Sequence, residues 1–214
     1  MRREDVWVDF GLSGLTKWFA GPWVAQATPE EIVAGAADWG DGVYAATLLE
    51  DAQRLLESAV PTRVIERLWR AATGLPYDPD DVWLDGRAWL REIVRISVER
   101  VRRDYPSFTP VPPEPPADGA LREAVLAEIR AAAPAVQGAV RADGADVVAA
   151  LEQVVVEVDP DLGFRLFLRV LKAYLVPVAE SRYQRYHVLG ERFGYHGLVV
   201  DDGTLQSVPD TDVD

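Results

Sequence analysis

The stretch Asp159-Pro160-Asp161-Leu162-Gly163-Phe164-Arg165-Leu166-Phe167-Leu168-Arg169-Val170-Leu171-Lys172-Ala173-Tyr174-Leu175-Val176 decides the fold class. Asp159 can cap a helix, Pro160 suits a first helical position because its missing N–H would be unpaired there anyway, and Asp161 favours the positive end of the dipole. Phe164, Phe167, Leu168, Leu171, Tyr174 and Leu175 then recur at helical spacing, which predicts a strongly apolar helix as far as Val176. Arg165, Arg169 and Lys172 form a narrow stripe on the other side, expected to remain at the surface of an otherwise buried helix.

Working outward, Pro177 interrupts that helix and a last one is expected from about Val178 to Phe193, closed by Gly194. Upstream, helices are expected from about Ala145 to Val158 and from Gly119 to Ala133, with a weaker segment after Pro134. In the N-terminal half, Thr28-Pro29-Glu30-Glu31 carries the same capping logic and predicts a helix to about Trp39. Apolar residues at helical spacing follow from Val43 to Ala59, where Pro61 stops them, and from Val64 to Ala72 before Gly74. Another helix is expected from about Gly86 to Asp104. The one convincing strand signal is Gly197 to Val208, with Asp202-Gly203 as a favoured hairpin turn. The expected class is therefore all-α, a multi-helix bundle with a Pro-rich central connector and a small C-terminal β-hairpin.

Six prolines fall between Pro106 and Pro116, a run that disfavours both helix and ladder and reads as an extended connector. It divides the chain into a Trp-rich helical half over 1–105, a connector over 106–118 and a helical half over 119–214 ending in the hairpin, with one continuous domain as the alternative. All seven Trp lie at or before Trp89, whereas five of the seven Tyr and both His lie beyond residue 100, so the halves have different cores.

Composition removes whole classes of chemistry. With no Cys there are no disulfides, thiolate metal sites or cysteine nucleophiles. The 22 cationic residues against 35 acids leave a net charge of −13, shared by both halves, which argues against binding to nucleic acid or an anionic membrane. No export signal is read at the N-terminus, and Gly, Pro or a charge interrupts every apolar run short of the roughly 18 residues that cross a bilayer. A cytoplasmic protein is expected. Only Lys17 and Lys172 are lysines, which with abundant Ala, Val, Gly and Asp suggests a GC-rich bacterial genome.

The candidate ligand-binding residues lie on the last helix. Val178, Tyr186, Leu189 and Phe193 make its apolar face, Arg182 projects from the middle of that face, and Arg185 and Arg192 stand at its edge. A guanidinium cannot lose its charge, so burial there calls for a carboxylate, several carbonyls or a bound anion. Three readings stand: a structural ion pair, a pocket of Arg182, Arg185, Tyr186 and Arg192 that holds a phosphate or carboxylate, or snorkelling of the Arg182 guanidinium to the surface. A second cationic feature is the helix after Gly86, where Arg91, Arg95 and Arg102 fall within about 40° of each other. Local pairing with Glu92 and Glu99 is expected there, a docking ridge for an acidic partner being the sharper alternative.

Asp80-Asp81-Val82-Trp83-Leu84-Asp85 resembles the Asp-rich magnesium motif of terpene synthases over six residues only. The second metal motif of those enzymes contains Asn, which this chain lacks, and Pro79 and Gly86 favour a capping role for the aspartates. Gly11-Leu12-Ser13-Gly14-Leu15 is one glycine short of a nucleophile elbow, and Ser13 is expected as a helix cap. His187 and Glu191, four apart, with His196 beyond the turn, offer too few ligands to predict a metal. No catalytic residue, metal or cofactor is expected. The reading favoured by sequence is a non-catalytic acidic interaction protein, of inhibitor, immunity or regulatory type, binding a basic protein. The alternative is an enzyme or sensor that takes an anionic small molecule on the last helix.

Overall fold

The computed structural model describes residues 8–20, 27–74, 85–111, 119–141 and 144–210. The chain is mostly helical, with a small two-stranded sheet near its C-terminus. It divides into two compact units, Phe10–Pro115 and a second made of Pro116–Asp214 with Met1–Asp9.

The first unit contains α1 (Gly11–Trp18), α2 (Pro29–Asp38), α3 (Val43–Glu57), α4 (Thr62–Thr73) and α5 (Gly86–Asp104). The expected capping box starts α2: the Glu31 N–H donates to Thr28 Oγ1 at 3.2 Å and the Thr28 N–H to Glu31 Oε2 at 2.8 Å. At α1, Ser13 is not the cap; it is buried within the helix and donates to the Phe10 carbonyl at 3.0 Å. The buried Asp51 of α3 serves instead, accepting from the Leu12 N–H at 2.9 Å and so fixing α1 against α3. Arg87 of α5 donates to the carbonyls of Leu56, Ser58 and Val60 at 2.7–2.9 Å, closing the end of α3. The core is aromatic: Phe19, Trp69 and Trp89 meet edge to face with centroids 5.2–5.7 Å apart.

The second unit contains α6 (Gly119–Val140), α7 (Gly144–Glu157), α8 (Pro160–Ala173), β1 (Pro177–Ala179), α9 (Glu180–Arg192), α10 (Gly197–Val200) and β2 (Gln206–Val208). α6 runs on through Pro134 as one helix, because Pro134 is exposed and the carbonyl it leaves unpaired can meet water. α8 is central, packed on α6, α7 and α10. Gly163 lets it approach α7: a Cβ there would lie 2.3 Å from Val155 Cγ2.

Two further expectations are corrected by the C-terminal elements and by α8. The hairpin is replaced by a parallel pair in which Pro177, Val178 and Ala179 align with Gln206, Ser207 and Val208. Leu198–Val200, expected as its first strand, turns into α10 because the His196 side chain caps it, Nδ1 accepting from the Leu198 N–H at 3.2 Å. Asp201 then accepts from the N–H groups of Gly203 and Leu205, shaping the turn that delivers β2 beside β1. The second correction concerns α8, whose cationic stripe is inside: Arg165, Arg169 and Lys172 are 1%, 7% and 4% exposed. Among the described residues no helix is long and apolar enough to cross a membrane.

Candidate functional site

The arginines of α8 are buried because acids follow them inward. Asp161, one turn before Arg165, takes its Nη2 at 3.0 Å and also accepts from the Tyr195 hydroxyl. Lys172 Nζ donates to the Val199 carbonyl at 3.2 Å and lies 3.7 Å from Asp202, tying α10 to α8. Arg169 is held below the ordinary guanidinium value by burial, with the charges of Asp9 and Asp202 opposing that shift. These contacts explain the seam as scaffold.

The residues nominated on the last helix are positioned by both ends of α9. Its N-terminus lacks a side-chain cap of its own, and Asp210, just after β2, accepts from the Ser181 N–H at 2.9 Å. Glu180 in the first turn accepts from Gln184 at 2.7 Å and from Ser207 at 2.8 Å, contacts that lower its pKa. At the other end Gly194, at φ +75, allows the chain to reverse.

Between these anchors α9 meets α6. Tyr186 has no solvent exposure and packs edge to face on Phe164 and Phe167, with centroids 6.2 and 5.6 Å away. Burial first, then the Glu128 charge, pushes its phenol well above the usual tyrosine value, against the guanidiniums of Arg182 and Arg185. Arg182 is half-buried beside that hydroxyl. Arg185 donates through Nε to Glu128 Oε1 at 2.7 Å. No aligned hydrogen bond reaches the Tyr186 hydroxyl, and Glu128 Oε2, equally shielded, has no donor.

The structure therefore brings Arg182, Arg185 and Tyr186 together and adds Glu128, which the sequence reading missed. Arg192 is exposed in the last turn, seven residues and about 10 Å along the axis from Arg185, outside the cluster. A sequence signal for Glu128 existed: it interrupts the apolar seam Leu121, Val125, Ala132 and Val136 of α6, the acidic counterpart of Arg182 on α9.

The α5 ridge pairs locally at Arg95 and Arg102, while Arg91 is exposed. Arg95 binds Glu92 and Glu99, Arg100 binds Asp104 and Asp38, and Arg102 donates to the Phe108 carbonyl. An open groove of about 230 Å³ between α2 and α5 is lined by Glu30, Glu31, Arg95, Glu99, Arg100 and Arg103, charges that largely neutralise one another. Asp85 caps α5 through the Ala88 N–H at 2.9 Å; the rest of the Asp-rich run lies outside the described residues. No group of three potential metal ligands occurs among the described residues. His187 lies against Tyr183, with ring centroids 4.8 Å apart.

Compared with family models, curated proteins and solved structures, the chain has no match in any of the three.

Proposed function

We propose that this chain is a non-catalytic acidic interaction protein of a bacterial cytoplasm, binding a basic protein partner as an inhibitor, immunity or regulatory protein does. One observation carries the reading: where the charges sit. Beyond residue 107 the sequence has 9 cations and 17 acids. Three of those cations, Arg165, Arg169 and Lys172, are buried against Asp9, Asp161 and Asp202, which are themselves buried or half-buried, while Glu123, Asp146, Glu157, Glu180, Glu191 and Asp210 lie exposed. On α5, Arg95 and Arg100 are paired with their own acids, and with the net charge of −13 the outward field is negative, a field that accelerates encounter with a cationic surface. Affinity isolation from the native host, followed by salt titration, tests it. A basic protein held at fixed stoichiometry and released as salt rises is expected; a complex indifferent to salt, or none, refutes it.

A second reading, an anionic small molecule held by the last helix, is favoured by a separate observation: the two shielded oxygens of Tyr186 and Glu128 that lack hydrogen-bond partners beside two guanidiniums.

A further inference from the structure

Resting on that second reading, the donor and acceptor inventory at the junction of α6 and α9 narrows the ligand. A guanidinium only donates, so Arg182 beside the Tyr186 hydroxyl can satisfy its oxygen but leaves the phenolic proton unspent. Glu128 is an acceptor through both oxygens; Oε1 is taken by Arg185 and Oε2 by nothing. Tyr186 is 0% and Glu128 9% exposed, so bulk water does not make good either deficit. No hydrogen bond joins the two directly.

A group that completes this set must accept from Tyr186 and Arg182 and, at the same time, donate to Glu128. A fully ionised oxyanion meets the first demand and fails the second, because it sets a lone pair against a buried carboxylate. A cation fails beside two guanidiniums. We infer that Glu128, Arg182, Arg185 and Tyr186 bind a phosphate group that retains one proton, as inorganic hydrogen phosphate or as a phosphomonoester. The P–OH donates to Glu128 Oε2, and the unprotonated oxygens accept from the Tyr186 hydroxyl and from the free N–H groups of Arg182 and Arg185. Two guanidiniums against one carboxylate leave one positive charge for the anion. Because Glu128 comes from α6 and the others from α9, the ligand would also clamp the two helices.

The test uses the full chain at neutral pH with inorganic phosphate, methyl phosphate and sulfate, followed by calorimetry and thermal unfolding. Phosphate or methyl phosphate at ten times its Kd should raise the midpoint by about 3–6 °C. Which of the two binds better separates free phosphate from an ester. Sulfate, which carries no proton to donate, should bind at least about tenfold more weakly, and Glu128→Gln should close that gap to roughly twofold. Arg182→Ala should weaken phosphate at least about tenfold. If Glu128→Gln does not fold, Tyr186→Phe, which removes only the hydroxyl, should weaken phosphate by a similar factor. Equal binding of phosphate and sulfate, both lost in Arg182→Ala, would overturn the proton-reading role while leaving an anion site. No shift with any of the three would overturn the site itself and leave one bridging water as its occupant.

Discussion

Replacing Gly163 with Ala tests how the central helix is seated. The added Cβ would lie 2.3 Å from Val155 Cγ2, 3.2 Å from Val155 N and 3.3 Å from Val155 Cα. Carbon atoms rest about 3.5–4.0 Å apart, so the methyl overlaps by more than 1 Å. Val155 is fully buried on α7, and as a β-branched residue in a helix it has little χ1 freedom with which to withdraw. The backbone contacts block the remaining route, so α7 and α8 must part. Overpacking of this kind costs about 1–3 kcal/mol, and the gain in helix propensity returns about 1 kcal/mol. The net expectation is destabilisation of up to about 2 kcal/mol, or up to about 8 °C in Tm for a chain of this size. Gly138→Ala is the control, since a Cβ there meets nothing within 4 Å and should stabilise by up to about 1 kcal/mol. Thermal and urea unfolding followed by circular dichroism would measure both. Adding Val155→Ala to Gly163→Ala should recover at least about 1 kcal/mol as a coupling energy. Gly163→Ala as stable as Gly138→Ala, or a coupling near zero, would show that α7 and α8 do not meet this closely.

Other expectations follow from particular contacts. Arg165→Met, which removes one partner of a fully buried pair and leaves the Asp161 carboxylate behind, should cost about 3–5 kcal/mol in urea unfolding. Burial raises the pKa of Tyr183, with its hydrogen bond to Asp201 adding to the shift, and raises that of Tyr186, so in an alkaline absorbance titration each should ionise above the usual tyrosine range, and Tyr183→Phe and Tyr186→Phe should each remove one late-titrating phenol. Their contribution to stability is complete below the unfolded value of about 10 and is lost as pH rises through the folded values, so Tyr186→Phe should flatten the alkaline decline. Leu175 holds φ +50 while 62% exposed, and Leu175→Gly should raise stability by roughly 0.5–1 kcal/mol; a lower Tm would show that the side chain contributes more than the backbone strain costs.

Helix starts were legible because their signals are local. Thr28-Pro29-Glu30-Glu31 and Asp159-Pro160 specify caps from within four residues, and α2 and α8 begin where they say. The fate of a polar residue on a helix is decided elsewhere. The α8 stripe at Arg165, Arg169 and Lys172 has the spacing of a solvent face, and only Asp9, Tyr195 and Asp202, remote in sequence, bring it inside. Likewise Leu198-Val199-Val200 spells a strand, yet a capping His196 and the burial of Val199 and Val200 make it a helical turn. Arg182 and Tyr186 could be nominated from α9 alone, whereas Glu128, although it breaks the apolar seam of α6, could be joined to them only once α6 lay against α9.

Two polar groupings inside the second unit differ in a way that assigns them different work. Along α8 the charged ends meet opposite charges: Asp161 accepts from Arg165 and Tyr195, and Lys172 donates to the Val199 carbonyl and lies 3.7 Å from Asp202. These contacts hold α10 on α8, and a ligand entering there would have to displace one of them. At the α6–α9 junction the same kinds of residue leave one acceptor, Glu128 Oε2, and one proton, that of Tyr186, without counterparts. Leaving a buried polar group unmet costs about 1–3 kcal/mol, so such a pair is stable only if the surrounding packing carries the cost or a further molecule removes it. Tyr186→Phe separates these cases: in ligand-free protein it should be neutral or stabilising, and under saturating phosphate it should be destabilising relative to the parent. A loss of stability without ligand would mean that the hydroxyl is already satisfied and that the junction is scaffold like α8.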